Sequence, residues 1–178
     1  MDITSPSFRA NESIPSKFTC DGSSSNPELR FSGVPGSTKS LALIVFDPDV
    51  PKSIKVDGRY LHWAVWNLAP QTAAIPERER SGINENGPTG YAPPCPPGGE
   101  HRYVFQLFAL DTTLRGAVIS READLRQAME GHVIEQAELI GRYERPASVF
   151  LGRFGIVVVV LIVAAAVRYF VARRPRDA

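Results

Sequence analysis

Pro6, Pro15, Gly22, Pro27, Gly33, Pro35 and Gly36 interrupt the first part of this chain, and Pro48 and Pro51 interrupt it again. Proline fixes φ and lacks an amide N–H, and glycine weakens the interior of any regular element. No long helix fits between such stops. Fifteen prolines and fourteen glycines in 178 residues favour a β-rich body with long loops over a helical bundle. A chain of this length supports one domain with a substantial core.

Between the stops lie three apolar runs. Ser40 to Phe46 is almost continuously apolar and rich in β-branched residues, the pattern of a strand buried on both faces. Leu61 to Leu68, with two tryptophans and a valine, reads as a second buried strand, and Tyr103 to Leu110 as a third. Residues 69 to 100 form a long connection, and a loop of that length inside a compact domain is usually functional or disordered. Its proline-rich second half points to a rigid loop. The period then changes. Ser120 is a candidate N-cap, Glu122 and Asp124 complement the helix dipole, and Ala123, Leu125, Ala128 and Met129 form an apolar stripe. A helix is expected from about Arg121 to Glu130, restarting after Gly131 and running to about Gln136. Leu139 to Tyr143 is a candidate closing strand.

The C-terminal part is different. Residues 146–153 read as a linker, and 154–172 contain one charge, Arg168, close to the end of an apolar block. About 20 apolar residues span a hydrocarbon core as a helix. Arg168 can snorkel, and Tyr169 and Phe170 fit an aromatic belt. A transmembrane helix over 154–172 is therefore expected, followed by a basic tail, 173–178. The N-terminus has neither a basic region nor an apolar stretch, so no secretory signal is expected. The sequence thus predicts a single-pass C-terminal anchor with a cytoplasmic domain. Twenty basic against 19 acidic residues give no electrostatic footprint for nucleic acid.

Polar residues gather where the apolar runs begin and end. Asp47 and Asp49 flank Pro48 at the exit of the first run. His62 opens the second, and His101 and Tyr103 open the third beside Pro94, Cys95 and Pro96. Taken singly, each has an ordinary reading: an Asp-Pro turn, or a histidine packed at a strand start. Together they suit a small polar pocket. Tyr103 lies two residues after His101 and shares its side of a strand, whereas Arg102 points the other way and reads as structural. A metal set of two histidines and a carboxylate is a rival, but its spacing is not diagnostic. A Cys95–His101 nucleophile is weaker, because prolines bracket the cysteine. Cys20 and Cys95 are too few for a disulfide scaffold. Two buried free thiols are the favoured reading, and a meeting of the Cys20 turn with the Cys95 loop is the alternative.

Several motifs together resemble the phosphatidylethanolamine-binding protein family, in its bacterial Raf-kinase-inhibitor-like branch. They are Phe18-Thr19-Cys20-Asp21-Gly22, Lys39 to Val45 before Asp47-Pro48-Asp49, His62, the loop to His101, Ala109-Leu110-Asp111, Gly131-His132-Val133 and Glu138 to Tyr143. The resemblance covers roughly 1 to 145 and implies a mainly β fold, a large antiparallel sheet packed on a smaller one with peripheral helices. It implies a pocket built from Asp47, Asp49, His62, Pro94, Cys95, Pro96, His101 and Tyr103, with no cofactor. The expected ligand is a small anion: a phosphorylated compound, a lipid head group or a phosphorylated partner. A hydrolase using the same Asp and His residues, and a membrane-anchored partner-binding protein with a vestigial pocket, are the alternatives. Pro93 departs from the glycine common in the family and removes an amide donor, which implies weakened or altered anion contact there. His132 reads as structural.

Overall fold

The structure is a computed structural model that describes residues 1–146. A compact unit spans Met1–Glu144. Two antiparallel sheets form it. Strands β1 (Asp2–Thr4), β2 (Leu29–Ser32) and β5 (Ala74–Ile75) make the smaller, in the order β1-β2-β5. Strands β3 (Ser40–Asp47), β4 (Tyr60–Leu68), β6 (His101–Leu110) and β7 (Val133–Tyr143) make the larger, in the order β4-β3-β6-β7. An α-helix, α1 (Glu122–Met129), lies on the outer face of the larger sheet.

The continuous apolar run in β3 follows from its place. Every residue from Ser40 to Asp47 is buried, because β3 is central and both faces are covered. Leu41, Leu43 and Val45 join Ile3, Leu29, Phe31 and Ile75 in a core between the sheets. Ala42, Ile44 and Phe46 join Leu125 and Met129 of α1 on the far side. Two-sided cover removes the alternation that a half-exposed strand shows.

The expected helical restart after Gly131 is corrected: Val133–Tyr143 is strand, paired with β6 from Leu110↔Val133 to His101↔Tyr143. Without β7 the outer edge of β6 would leave its backbone groups unpaired, and that need overrides the helix propensity of Glu135, Gln136 and Ala137. Gly141 is required by close approach. A Cβ there would lie 2.5 Å from Ile14 Cγ1 and 2.9 Å from Phe8 Cε2, since residues 12–14 run alongside β7 and exchange backbone hydrogen bonds with Arg142.

Among the described residues no helix is long and apolar enough to cross a membrane. The eight-residue α1 rises about 12 Å, against a hydrocarbon core of about 30 Å, and it carries an ion pair between Arg126 and Glu122. The expected fold class is corrected accordingly, to a mainly β fold with no membrane-spanning helix among the described residues. The span expected at 154–172 lies outside the described residues, and the single-pass membrane localisation built on it is withdrawn. The favoured reading of two free thiols is also corrected. Cys20 and Cys95 form a disulfide, Cα atoms 5.4 Å apart. Such bonds persist in oxidising compartments, which counts against the expected cytoplasmic placement of the domain.

Candidate functional site

Antiparallel pairing brings three strand ends together. β3 ends where β4 and β6 begin, with Asp47 opposite Tyr60 and Phe46 opposite Val104. The ladder then breaks at the site. Val45 faces Trp63 but Phe46 faces Leu61, so His62 is an extra residue on β4. A bulge of this kind re-aims a side chain. Here Leu61 packs with the α1-side core and Trp63 with the core between the sheets, while His62 turns into a cavity.

That cavity encloses about 300 Å³ and is lined by Asp47, Tyr60, His62 and Tyr103 on its polar side. Val50, Ile54, Pro93, Pro96 and Pro97 supply an apolar wall, with Cys95 among them. Tyr60 and Tyr103 pack on His62 with ring centroids 4.9 and 5.1 Å away.

Asp47 is buried and fully engaged. His101 Nδ1–H donates to its Oδ2 at 2.7 Å, and the Asp49 backbone N–H donates to its Oδ1 at 2.7 Å. His62 is buried as well. Its Nδ1–H donates to the Ala92 carbonyl at 2.8 Å, which leaves Nε2 the unprotonated ring nitrogen of the neutral form. Burial holds its pKa below the ordinary histidine value, against the opposing pull of the Ala92 carbonyl and Asp47. The Tyr103 hydroxyl is buried and has no hydrogen-bond partner among the described residues. Burial, reinforced by the Asp47 charge, pushes its pKa far up, so it stays an O–H.

Of the residues expected from sequence, Asp47, His62, Cys95, Pro96 and Tyr103 meet at the cavity. His101 stands behind Asp47 as its partner. Asp49 is turned away. It forms two hydrogen bonds with the exposed Arg102 guanidinium, at 2.9 and 2.7 Å, and these hold its pKa below the usual carboxylate value. Pro94 is buried behind the wall, its carbonyl accepting from Cys20 N–H at 3.0 Å. His132 pairs with Asp111 at 2.8 Å, just past the Leu110 end of β6, the opposite end from His101. Among the described residues no group of three His, Cys, Asp or Glu side chains is placed to hold a metal ion.

Sequence reasoning missed Tyr60, Val50, Ile54 and Pro97. Tyr60 was within reach, since it lies two residues before His62 and shares its side of the strand end. Val50 and Ile54 carried no signal, because an apolar residue in a loop has no period to betray it.

The phosphatidylethanolamine-binding protein family matches residues 4–144. A UPF0098 protein of Chlamydia muridarum is 44% identical over 149 residues, spanning 82% of this chain and 99% of its own length. A UPF0098 protein of Methanothermobacter thermautotrophicus is 41% identical over 155 residues, again spanning 82% of this chain and 99% of its own. Among solved structures, a phosphatidylethanolamine-binding protein homologue from Chlamydia trachomatis superposes with a TM-score of 0.78 at 43% identity, over 82% of this chain and 97% of that one. E. coli YbcL, described as a new member of the mammalian family, gives 0.70 at 28% identity, over 82% and 98%. The match covers both sheets from Thr4 onward and the strand ends that carry the cavity, so the chain belongs to the phosphatidylethanolamine-binding protein family, a family of ligand-binding proteins.

Proposed function

We propose that the cavity binds the phosphate group of a small phosphorylated ligand, free or carried on a lipid head group or a partner, and that it does so without turnover. The buried Tyr103 hydroxyl supports this reading most directly. A buried donor left unmade costs about 1–3 kcal/mol, and a ligand oxygen in the cavity would satisfy it. His62 Nε2 supplies a second contact. In its neutral form it accepts from the P–OH of a monoanionic phosphate, and when protonated it donates to a phosphate oxygen. Asp47 repels a dianion, so binding favours the singly charged ligand and takes up protons. Mildly acidic solution therefore strengthens it.

How Asp47 is held supports binding over hydrolysis. Both of its oxygens accept hydrogen bonds, which fixes it as a wall of the cavity and leaves it poorly placed as a base. Titration calorimetry with inorganic phosphate and phosphoethanolamine from pH 5.5 to 8 tests the proposal. Affinity is expected to rise as pH falls, and Tyr103→Phe to weaken it by roughly tenfold or more, the worth of one hydrogen bond to a charged group. An affinity indifferent to both pH and Tyr103→Phe sinks the anion reading. Turnover of a phosphoester panel that His101→Ala abolishes would establish the hydrolase instead.

A further inference from the structure

The disulfide is not placed where a purely structural cross-link would be. Cys95 is exposed and lines the cavity, and Cys20 is half-buried. Prolines flank Cys95 on both sides, so Pro93 to Pro97 carries a single backbone N–H, that of Cys95 itself. A segment so poor in donors cannot be held by a hydrogen-bond ladder of its own. Its ties run elsewhere. Cys20 N–H donates to the Pro94 carbonyl, and just before the wall Ala92 N–H donates to His62 O at 2.8 Å. The Tyr91 hydroxyl donates to Phe18 O at 3.3 Å. At the end of the wall Pro97 is exposed, as are Gly98, Gly99 and Glu100 beyond it, and Gly99 turns with φ +72°. From Pro94 to Glu100 the disulfide is thus the one covalent hold on this side of the cavity.

We propose that Cys20–Cys95 is a thiol-exchange site for a dithiol reductant, and that its opening releases the proline wall of the cavity. The chemistry balances with that reductant alone. A thiolate of the dithiol attacks the Cys95 sulfur, the Cys20–Cys95 bond breaks, and Cys20 leaves as a thiolate. The second thiol of the reductant then attacks its own sulfur in the mixed disulfide, and Cys95 leaves. The reductant ends as a cyclic disulfide, and its two protons end on Cys20 and Cys95. Exposed disulfides are the labile and regulatory class, and this one borders the place where a ligand would sit. The wall, freed at Cys95 with glycines behind it, then swings from the cavity. The consequence for affinity rests on the anion reading above, whereas the exchange chemistry and the wall motion do not.

The experiment treats the full-length protein with dithiothreitol in the absence of denaturant. Free thiols are counted by mass after alkylation, amide hydrogen exchange is followed residue by residue, and inorganic phosphate is titrated into both forms. Reduction in the folded state is expected, with exchange at Ala92 and Cys20, whose amides donate to His62 O and Pro94 O, at least tenfold faster while Leu43 and Phe105 in β3 and β6 stay protected. Phosphate affinity is expected to fall at least fivefold. Cys20→Ser/Cys95→Ser is expected to reproduce the reduced exchange pattern and to ignore dithiothreitol. A disulfide that yields only in denaturant overturns the proposal, as does a reduced protein whose Ala92 exchanges as before or one that loses protection throughout. If the oxidised protein binds no phosphate, the anion reading fails on its own, and the exchange rates still decide whether the wall is released.

Discussion

Asp47 and Tyr103 stand on β3 and β6, which are paired on both sides, and His62 stands on β4, paired to β3, whereas the wall from Pro93 to Pro97 has one amide of its own and leans on a disulfide. Both line the same 300 Å³. The difference separates two jobs. The ladder fixes where the polar groups stand, because moving Tyr103 would break pairing along β6. The wall sets how much room faces them, and it can change without disturbing the sheet. A rigid floor under an adjustable side lets one cavity keep its chemistry while its access varies.

The largest effect that tests this contrast lies in the floor. Phe105 is wholly buried and packs against Phe8 with centroids 5.8 Å apart. Phe105→Ala is expected to cost about 3–5 kcal/mol, read as a fall in the chemical denaturation midpoint. Cys20→Ser/Cys95→Ser should cost less, about 2–4 kcal/mol, from freeing a loop whose ends are 75 residues apart. The contrast breaks if the serine pair loses as much as Phe105→Ala, since the wall would then fold as part of the floor.

A pH series sharpens it further. The pKa of His62 is depressed by burial, so the unfolded chain takes up this proton first as pH falls through about 6.5. The stability that neutral His62 provides is therefore complete above that pH and is lost below it, by at most about 1.4 kcal/mol per pH unit. His62→Asn should flatten that part of a melting-temperature profile, and an unchanged slope would show that other groups set it. The smallest expected effect is that of Tyr103→Phe on stability. Its hydroxyl has no partner among the described residues, so removing it should shift the denaturation free energy by less than about 1 kcal/mol, or raise it. A large loss would mean that the hydroxyl is already satisfied within the floor.

The long buried strands could be read from the sequence because their burial is two-sided: β3 is apolar wherever one looks, and no period has to be found. The first half of β7 could not. Glu135, Gln136 and Ala137 favour helix locally, and only the unpaired edge of β6, a fact of tertiary structure, calls for a strand. The site was legible in its polar members, since Asp47, His62 and Tyr103 stand at ends of recognisable runs. Asp49 misled because its pairing with Arg102 depends on a side chain 53 residues away. Cys20 and Cys95 misled because two cysteines carry no spacing rule from which a bond can be read.

The bulge at His62 has a consequence for how the cavity relates to the chain's count of residues. Leu61 and Trp63 already face opposite cores, as consecutive residues of a regular strand would. Cutting His62 out would close the ladder with both of them still in place. The histidine is an interpolation in β4, one letter more than the sheet needs, and neither core depends on it. A chain lacking it should keep its two layers and lose the imidazole that faces the cavity, so binding chemistry and foldability are written in this strand as separable entries.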